Sequence, residues 1–202
     1  MSHSRERLLR AAAELFARSG FHAIGLDAVI DAAGLSKQTF YNHFESKDDL
    51  VLATLALRRE TEQALFARLF RDLGGDDPRA QLYANIDVIQ AWFRQPEWRG
   101  CICIKAASEF PLPTDPVHRF VAAWFEENRR HQQHLATLAG ARDPAKLSVQ
   151  IMTIVEGVIN VRHITGRESG VDGAREMLHE LLDRELPMCA DYPRSEPARG
   201  LG

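Results

Sequence analysis

Side chains suited to contacting a nucleic acid are concentrated between residues 36 and 47 of the chain. Lysine binds phosphates, glutamine and asparagine pair with adenine edges, and threonine contacts phosphate or a thymine methyl group. The candidates for contacting DNA are Ser36, Lys37, Gln38, Thr39, Tyr41, Asn42, His43 and Lys47. Whether they can do so depends on the elements that hold them.

Two short helices joined by a tight turn are predicted around these residues. Apolar residues at helical spacing over 26–33 form a stripe that ends at Gly34, which can adopt the left-handed conformation of a tight turn. Ser36 can cap the next helix, and Phe40 and Phe44, four residues apart, would attach that helix to the core. The pattern is that of a helix-turn-helix, which either binds DNA or forms a corner of the fold with no ligand.

The charge of the chain does not by itself indicate a nucleic-acid partner. The formal net charge is -3, and residues 1–47 carry six Lys or Arg residues against five Asp or Glu residues. Hydrophobic residues make up 45% and charged residues 26% of the chain, as in an ordinary globular protein. The interpretation as a DNA-binding protein therefore depends on the motif.

The motif resembles that of a known family. The stretch from residue 20 to residue 50, and above all Ser-Lys-x-Thr-aromatic-Tyr-x-His-Phe-x-Ser-Lys at 36–47, is similar to the DNA-binding domain of TetR-family transcriptional regulators. This resemblance implies phosphate contacts for Lys37, Thr39, Tyr41, His43 and Lys47. It implies base contacts for Gln38 and Asn42. The family often has Thr or Ser where Ile24 and Gly25 stand, so a hydroxyl cap on the second helix is in question.

The rest of the chain is predicted to be helical throughout. Apolar residues recur at helical spacing, and glycine and proline breaks separate about nine helices. We predict an all-α protein with an N-terminal three-helix helix-turn-helix domain (1–46), a C-terminal helical ligand-binding and dimerisation domain (47–187) and a disordered tail (188–202). Ser46 and Asp49 have the spacing of a capping box that opens a long helix at Lys47.

A short recognition helix covers only a few base pairs, so specific binding needs a second copy of the chain. The resemblance implies a homodimer in which the last two helices of each subunit form a four-helix bundle. Apolar residues also nearly encircle the helix predicted over 144–165, which indicates more apolar surface than one subunit covers. The candidate interface residues are Ile151, Ile154, Val155, Val158, Val161, Ile164, Met177, Leu178, Leu181 and Leu182. An ordinary intramolecular core is the alternative.

The resemblance also implies a pocket for a small-molecule effector among the middle helices. The candidate lining residues are Trp92, Phe93, Trp98, Cys101, Ile102, Lys105, Phe110, Trp124, Phe125, Glu156, Asn160 and His163. The aromatic residues could equally be core, and the last three could face water or the dimer interface. Cys101 lies one helical turn before Lys105, which suggests thiol-based sensing of electrophiles or oxidants as an alternative. A small buried hydrophobic residue is the simpler interpretation of each cysteine.

Catalytic motifs are not found: the chain has no phosphate loop, dinucleotide fingerprint, nucleophile elbow or His-Glu-x-x-His metal motif. We therefore expect no enzyme activity, no cofactor and no metal. No apolar run reaches about 18 residues, and the first ten residues are polar and charged, so we expect a cytoplasmic protein without a membrane span. The expected function is that of a ligand-responsive regulator, most simply a repressor released from a palindromic operator by a small molecule. An architectural DNA-binding protein is the alternative.

Overall fold

A computed structural model describes residues 2–96 and 98–187, and all regular structure within them is helical. The ten helices are α1 (His3–Ser19), α2 (Leu26–Ala33), α3 (Lys37–Tyr41), α4 (Lys47–Gly74), α5 (Pro78–Tyr83), α6 (Asn85–Phe93), α7 (Ile102–Glu109), α8 (Pro116–Leu138), α9 (Pro144–Thr165) and α10 (Val171–Glu185). The prediction of an all-α fold is confirmed. The predicted tail over 188–202 lies outside the described residues. No helix in the described ranges combines the length and the apolar character needed to cross a bilayer.

Leu82, Ile86, Ile89 and Phe93 have the spacing of a single helix, but the structure divides this stretch into two helices, α5 and α6, at Ala84. The side-chain amide of Asn85 donates to the Leu82 carbonyl at 2.9 Å, so it competes with the backbone for an acceptor of the helix. The same amide exchanges two hydrogen bonds with the buried Gln132 of α8, of 2.8 and 3.1 Å. This tertiary pairing explains why the local apolar pattern did not show the break.

Two apolar clusters make up the core of the described chain. The first surrounds the helix-turn-helix unit, defined here as α1–α3, and includes the beginning of α4. It also contains Ile102, Ala106 and Phe110 from the end and one face of α7, and Trp124 from α8. The second cluster lies among α5, α6, α9 and α10. Residues beyond 47 thus complete the core on which the DNA-binding motif rests.

The helix-turn-helix unit has the local geometry that its sequence predicts. Gly34 ends α2 at φ 61° in the left-handed region, and the Ser36 hydroxyl accepts the amide of Thr39 at 3.1 Å. Phe40 and Phe44 are 0% and 2% exposed, and their rings stack with centroids 5.6 Å apart. Arg7 of α1 donates to the Ala33 carbonyl at 2.6 Å, which fastens the turn to α1. These contacts fix the orientation of α3.

Replacing Phe40 by alanine should lower the free energy of unfolding by about 3–5 kcal/mol, because the ring is fully buried and its removal leaves a cavity. Urea denaturation followed by circular dichroism measures this change. Tyr41→Ala is the matched control, since the neighbouring ring is 51% exposed and its loss should change stability by less than about 0.5 kcal/mol. Equal losses in the two variants would contradict the orientation of α3.

Candidate nucleic-acid interface and cavity

The side of α3 opposite Phe40 is open to solvent. Lys37, Gln38, Tyr41 and Asn42 are exposed there, and Thr39 and His43 are half-buried beside them. The predicted DNA contacts from Ser36 to His43 thus form one polar surface. The protein core behind this surface holds it in place.

The polar side chains on this surface bond only weakly to one another. Lys37 Nζ lies 3.2 Å from Asp27 Oδ1, and the Gln38 side-chain amide donates to Asn42 Oδ1 at 3.2 Å. Exposed pairs of this kind contribute little stability, so phosphates and base edges could replace them at small cost. The arrangement suits a surface that exchanges its own contacts for those of DNA.

Lys47 differs from the other candidates because its ammonium group already has a protein partner. It is half-buried at the first position of α4, and Nζ donates to the Phe21 carbonyl at 2.6 Å. The predicted capping box is present in part: Ser46 Oγ accepts the amide of Asp49, but Asp49 Oδ2 accepts the amide of Glu45 and not that of Ser46. Gly25 caps α2 without a side-chain hydrogen bond, as its residue type requires.

A cavity of about 830 Å³ lies among helices α4 to α9. This volume is within the range of sites that hold small organic molecules. The predicted pocket residues that line it are Trp92, Cys101, Trp124, Phe125 and Glu156. Those that do not line it are Phe93, Trp98, Ile102, Lys105, Phe110, Asn160 and His163.

The residues outside the cavity have other partners. Phe93 and Trp98 pack against each other with centroids 5.4 Å apart, and the Arg162 guanidinium carbon lies 4.7 Å from the centroid of the Trp98 ring. Asn160 donates to the Glu156 carbonyl at 2.9 Å. His163 lies beside Gly100. The composition of this region could be predicted from the sequence, but the direction of each side chain could not.

Several lining residues were not predicted from the sequence. Glu62, Phe66 and Phe70 follow one another at four-residue spacing along α4 and face the cavity together. The rings of Phe66 and Trp92 lie 5.6 Å apart. The four-residue spacing of these side chains is a signal present in the sequence. It is weak, because many charged residues of α4 lie among them. Cys103 also lines the cavity, although Cys101 was the cysteine singled out.

Two carboxyl groups at the cavity, those of the buried Glu62 and the half-buried Glu156, differ in their partners. Glu62 is 7% exposed and pairs with Arg58 at 2.7 Å, so burial raises its carboxyl pKa while the guanidinium acts in the opposite direction. Burial alone raises the pKa of Glu156. No hydrogen-bond donor or basic group within residues 2–96 and 98–187 partners the Glu156 carboxylate.

The cysteines face the same end of the cavity. A hydrogen bond with Cys101 raises the thiol pKa of Cys103 well above its usual value, and burial and the charges of Glu62 and Glu156 act in the same direction. Lys105 donates to the carbonyls of Ala17 and Arg99. Its ammonium is therefore committed to backbone oxygens, and thiol sensing at Cys101 stays a prediction.

Helix α7 connects the cavity to the helix-turn-helix unit. One side of it carries Cys103, Ile104 and Ala107 at the cavity wall. On the other side, the Glu109 carboxylate accepts the amides of Phe21 at 2.9 Å and His22 at 2.6 Å. A single two-turn helix therefore touches both functional regions.

The turn after α1 is shaped to receive Glu109. Gly20 has φ 81°, and a Cβ atom at this position would collide with Glu109 Oε1, so both the backbone conformation and the close approach require glycine. Lys105 bonds to a carbonyl in the last turn of α1, where backbone acceptors lack helical partners. The Phe110 ring, at the end of α7, packs edge-on against Phe21 at 5.8 Å.

The Phe21 peptide groups are held from two directions. Glu109 of α7 accepts the Phe21 amide, and Lys47 of α4 donates to the Phe21 carbonyl. We call this set of bonds, from Glu109 and Lys47 to the backbone of Phe21 and His22, the Phe21 clamp. Both α4 and α7 also line the cavity, so the clamp connects two of its walls to the helix-turn-helix unit.

Comparisons with known proteins agree with the motif and with the fold. Residues 8–54 match the model of the family described as bacterial regulatory proteins, tetR family. The uncharacterized HTH-type transcriptional regulator YdgC of Bacillus subtilis is 42% identical over 193 residues, which cover 93% of this chain and 95% of that protein. The HTH-type transcriptional activator FasR of Mycolicibacterium smegmatis is 51% identical over 51 residues, which cover 25% of this chain and 23% of that protein.

The fold is similar to solved structures over most of its length. The crystal structure of SCO4454, a TetR-family transcriptional regulator from Streptomyces coelicolor, aligns with a TM-score of 0.83 at 25% identity. The alignment covers 91% of this chain and 90% of that one. The similarity therefore includes the C-terminal helices, where no sequence motif was available.

Replacing Glu109 by glutamine should lower the free energy of unfolding by about 1–2 kcal/mol, because an amide oxygen accepts the amides of Phe21 and His22 more weakly than a carboxylate. Chemical denaturation at neutral pH measures the change. Glu14→Gln is the control, since its carboxylate belongs to an ion pair whose side chains are both 62% exposed. A Glu109 variant as stable as the control would show that the clamp carries no energy.

Proposed function

The chain belongs to the TetR family of bacterial regulatory proteins and is a DNA-binding transcriptional regulator, and we propose that it is a repressor released from its operator by a small molecule bound in the cavity. The observation that carries this proposal is the position of α7, which lines the cavity on one side and holds Phe21 and His22 on the other. The family and the fold support DNA binding. The Phe21 clamp provides the contacts through which a ligand in the cavity could change the orientation of the DNA-binding surface.

Recognition of the operator is assigned to the exposed surface of α3. We propose that Lys37, Thr39 and Tyr41 bind phosphates and that Gln38 and Asn42 contact base edges. His43 would add a phosphate contact, as would Lys47 if it exchanged the Phe21 carbonyl for a phosphate oxygen. Such a small surface covers few base pairs, so two copies would bind palindromic half-sites roughly 34 Å apart.

Dimerisation is proposed through the exposed apolar residues of α9 and its neighbour α10. Ile164 is 79%, Met177 60% and Val161 38% exposed, and Ile154 is half-buried beside a surface recess of about 370 Å³ that Met177 also lines. The other predicted interface residues are covered within the chain itself: Ile151, Val155, Val158, Leu178, Leu181 and Leu182. Leu181 also lines the recess and stays in the proposed interface, whereas the burial of the other five side chains leaves them little surface for contact with a partner.

The proposed switch acts on the distance between the two DNA-binding surfaces. A ligand that fits the cavity best when α4 and α7 are displaced would pull on the Phe21 clamp and reorient the helix-turn-helix unit. The ligand can shift this equilibrium only by its difference in affinity for the two arrangements, typically about 1–3 kcal/mol. Release follows when the two surfaces no longer match the half-site spacing.

Variants of α3 should separate positioning contacts from base contacts. Lys37→Ala and Tyr41→Ala should weaken binding to every sequence, and Lys37→Ala should also reduce the salt slope by about one. Asn42→Ala should instead relax preference at particular bases by about 1–3 kcal/mol. Fluorescence anisotropy with duplexes selected from a random library measures both effects.

Arg68→Ala is the control for these variants, because it removes an exposed positive charge about 30 Å along α4 from Lys47. Loss of affinity in the control equal to that of Lys37→Ala would contradict the assignment to α3. Footprinting on the selected duplex tests the architectural alternative, which requires continuous coating in place of two protected half-sites. A reporter fused to the same sequence should rise when the gene is deleted, and a fall would contradict repression.

The double substitution of Ile164 and Met177 by aspartate should weaken self-association by at least about tenfold, because charges would be buried in an apolar contact. Analytical ultracentrifugation measures the monomer–dimer equilibrium. Leu112→Asp is the control, since Leu112 is 65% exposed and lies outside α9 and α10. An unchanged equilibrium in the double variant would place the interface elsewhere.

A further inference from the structure

We propose that the cavity selects lipophilic organic cations: molecules in which a protonated amine or quaternary ammonium group is attached to an apolar, partly aromatic skeleton. The inference rests on the proposed function, because it names the chemical class of the effector for the same cavity. It depends on three features of the wall, namely a carboxylate without a partner among the described residues, a second carboxylate that is buried in the same wall, and aromatic faces.

Glu156 is the first feature. Its carboxylate faces the cavity from α9, between turns that present the buried Met152 and Ile159 to the same space. Throughout the described part of the chain, no arginine, lysine, histidine or hydrogen-bond donor is bonded to it. Glu156 is half-buried, so its charge is partly withdrawn from water, and a bound cation would supply the missing partner.

Glu62 is the second feature. It lies on α4 and lines the cavity together with Cys103 and Glu156, and the charges of both carboxylates raise the pKa of the Cys103 thiol. Arg58 forms the only ion pair of Glu62 among the described residues, at 2.7 Å. Arg58 is therefore a partner of Glu62 alone, and the Glu156 carboxylate keeps a negative charge for a ligand to balance.

The other charged side chains around the cavity do not neutralise the negative charge of Glu156. Glu126 and Glu127 also line it, and each already pairs with an arginine outside the wall, Arg129 and Arg59 respectively. Arg71 is the one permanently cationic side chain in the described lining, and it is exposed to solvent. An anionic ligand would therefore meet repulsion inside, and a cation would meet attraction.

The aromatic faces are the third feature. Phe66 follows Glu62 by one helical turn, and its ring packs against Trp92 at 5.6 Å. Phe70, Trp124 and Phe125 also line the cavity. Rings of this kind bind the apolar part of a ligand and attract a cationic group placed over their faces. The wall thus suits a molecule that carries a positive charge on an apolar body.

Tetraphenylphosphonium and tetraphenylborate test the charge preference, because the two ions have the same shape and opposite charge. Trp92 and Trp124 line the cavity, so quenching of tryptophan fluorescence reports occupancy, and calorimetry confirms the stoichiometry. We expect the phosphonium ion to bind at least about tenfold more tightly than the borate ion. Equal binding, or preference for the anion, would overturn the proposal without any variant.

Glu156→Gln then tests the group responsible. The substitution keeps the side-chain shape and removes the charge, so phosphonium affinity should fall by about tenfold or more while borate affinity stays equal or rises. Glu60→Gln is the control, because Glu60 is an exposed carboxylate of α4 outside the cavity lining. A Glu156 variant that keeps full phosphonium affinity would overturn the assignment.

Failure of this inference can be distinguished from failure of the proposed function. The ligand measurements use the free protein, and operator binding is measured separately with the selected duplex. Selective operator binding without phosphonium binding would contradict the cation site but not the proposed function as a regulator. Phosphonium binding that depends on Glu156 but leaves operator affinity unchanged would support the cation site and contradict the proposed release mechanism.

Discussion

The backbone of Phe21 is the point on which the arrangement of this molecule depends. Its amide is bonded to Glu109 of α7 and its carbonyl to Lys47 of α4, while its ring is fully buried between Phe16 and Phe110. The turn after α1 is therefore fixed by charged groups on two helices that continue to the cavity. A change in the cavity that moves either helix must move this turn or break one of its bonds.

At the cavity, the charged side chains are not all paired with partners as they are at Phe21. Glu109 and Lys47 have partners, whereas the half-buried Glu156 has none within the described ranges, and Glu62 pairs with Arg58. Stability could have been gained by filling the cavity with apolar side chains or by neutralising Glu156. A carboxylate without a partner beside a cavity instead suits a binding site, because a bound ligand can supply the missing partner.

Local patterns predicted the helix-turn-helix unit because its determinants are local: the glycine at Gly34, the cap at Ser36 and the four-residue spacing of Phe40 and Phe44. They could not predict the Phe21 clamp, because Glu109 lies 88 residues from Phe21 in the chain. The cavity was predicted only in part for the same reason. Periodicity identifies apolar and polar faces, but packing decides whether a face meets a cavity, the core or another helix.

Hydrogen exchange at the Phe21 and His22 amides, followed by NMR, tests the connection between the cavity and the DNA-binding surface most directly. Both amides should be protected in the operator complex and should exchange faster once a cavity ligand has released the DNA. The Leu35 amide, bonded to the Ile30 carbonyl inside the helix-turn-helix unit, should keep its protection and serves as the internal reference. Release of the DNA with unchanged protection at Phe21 and His22 would contradict the account.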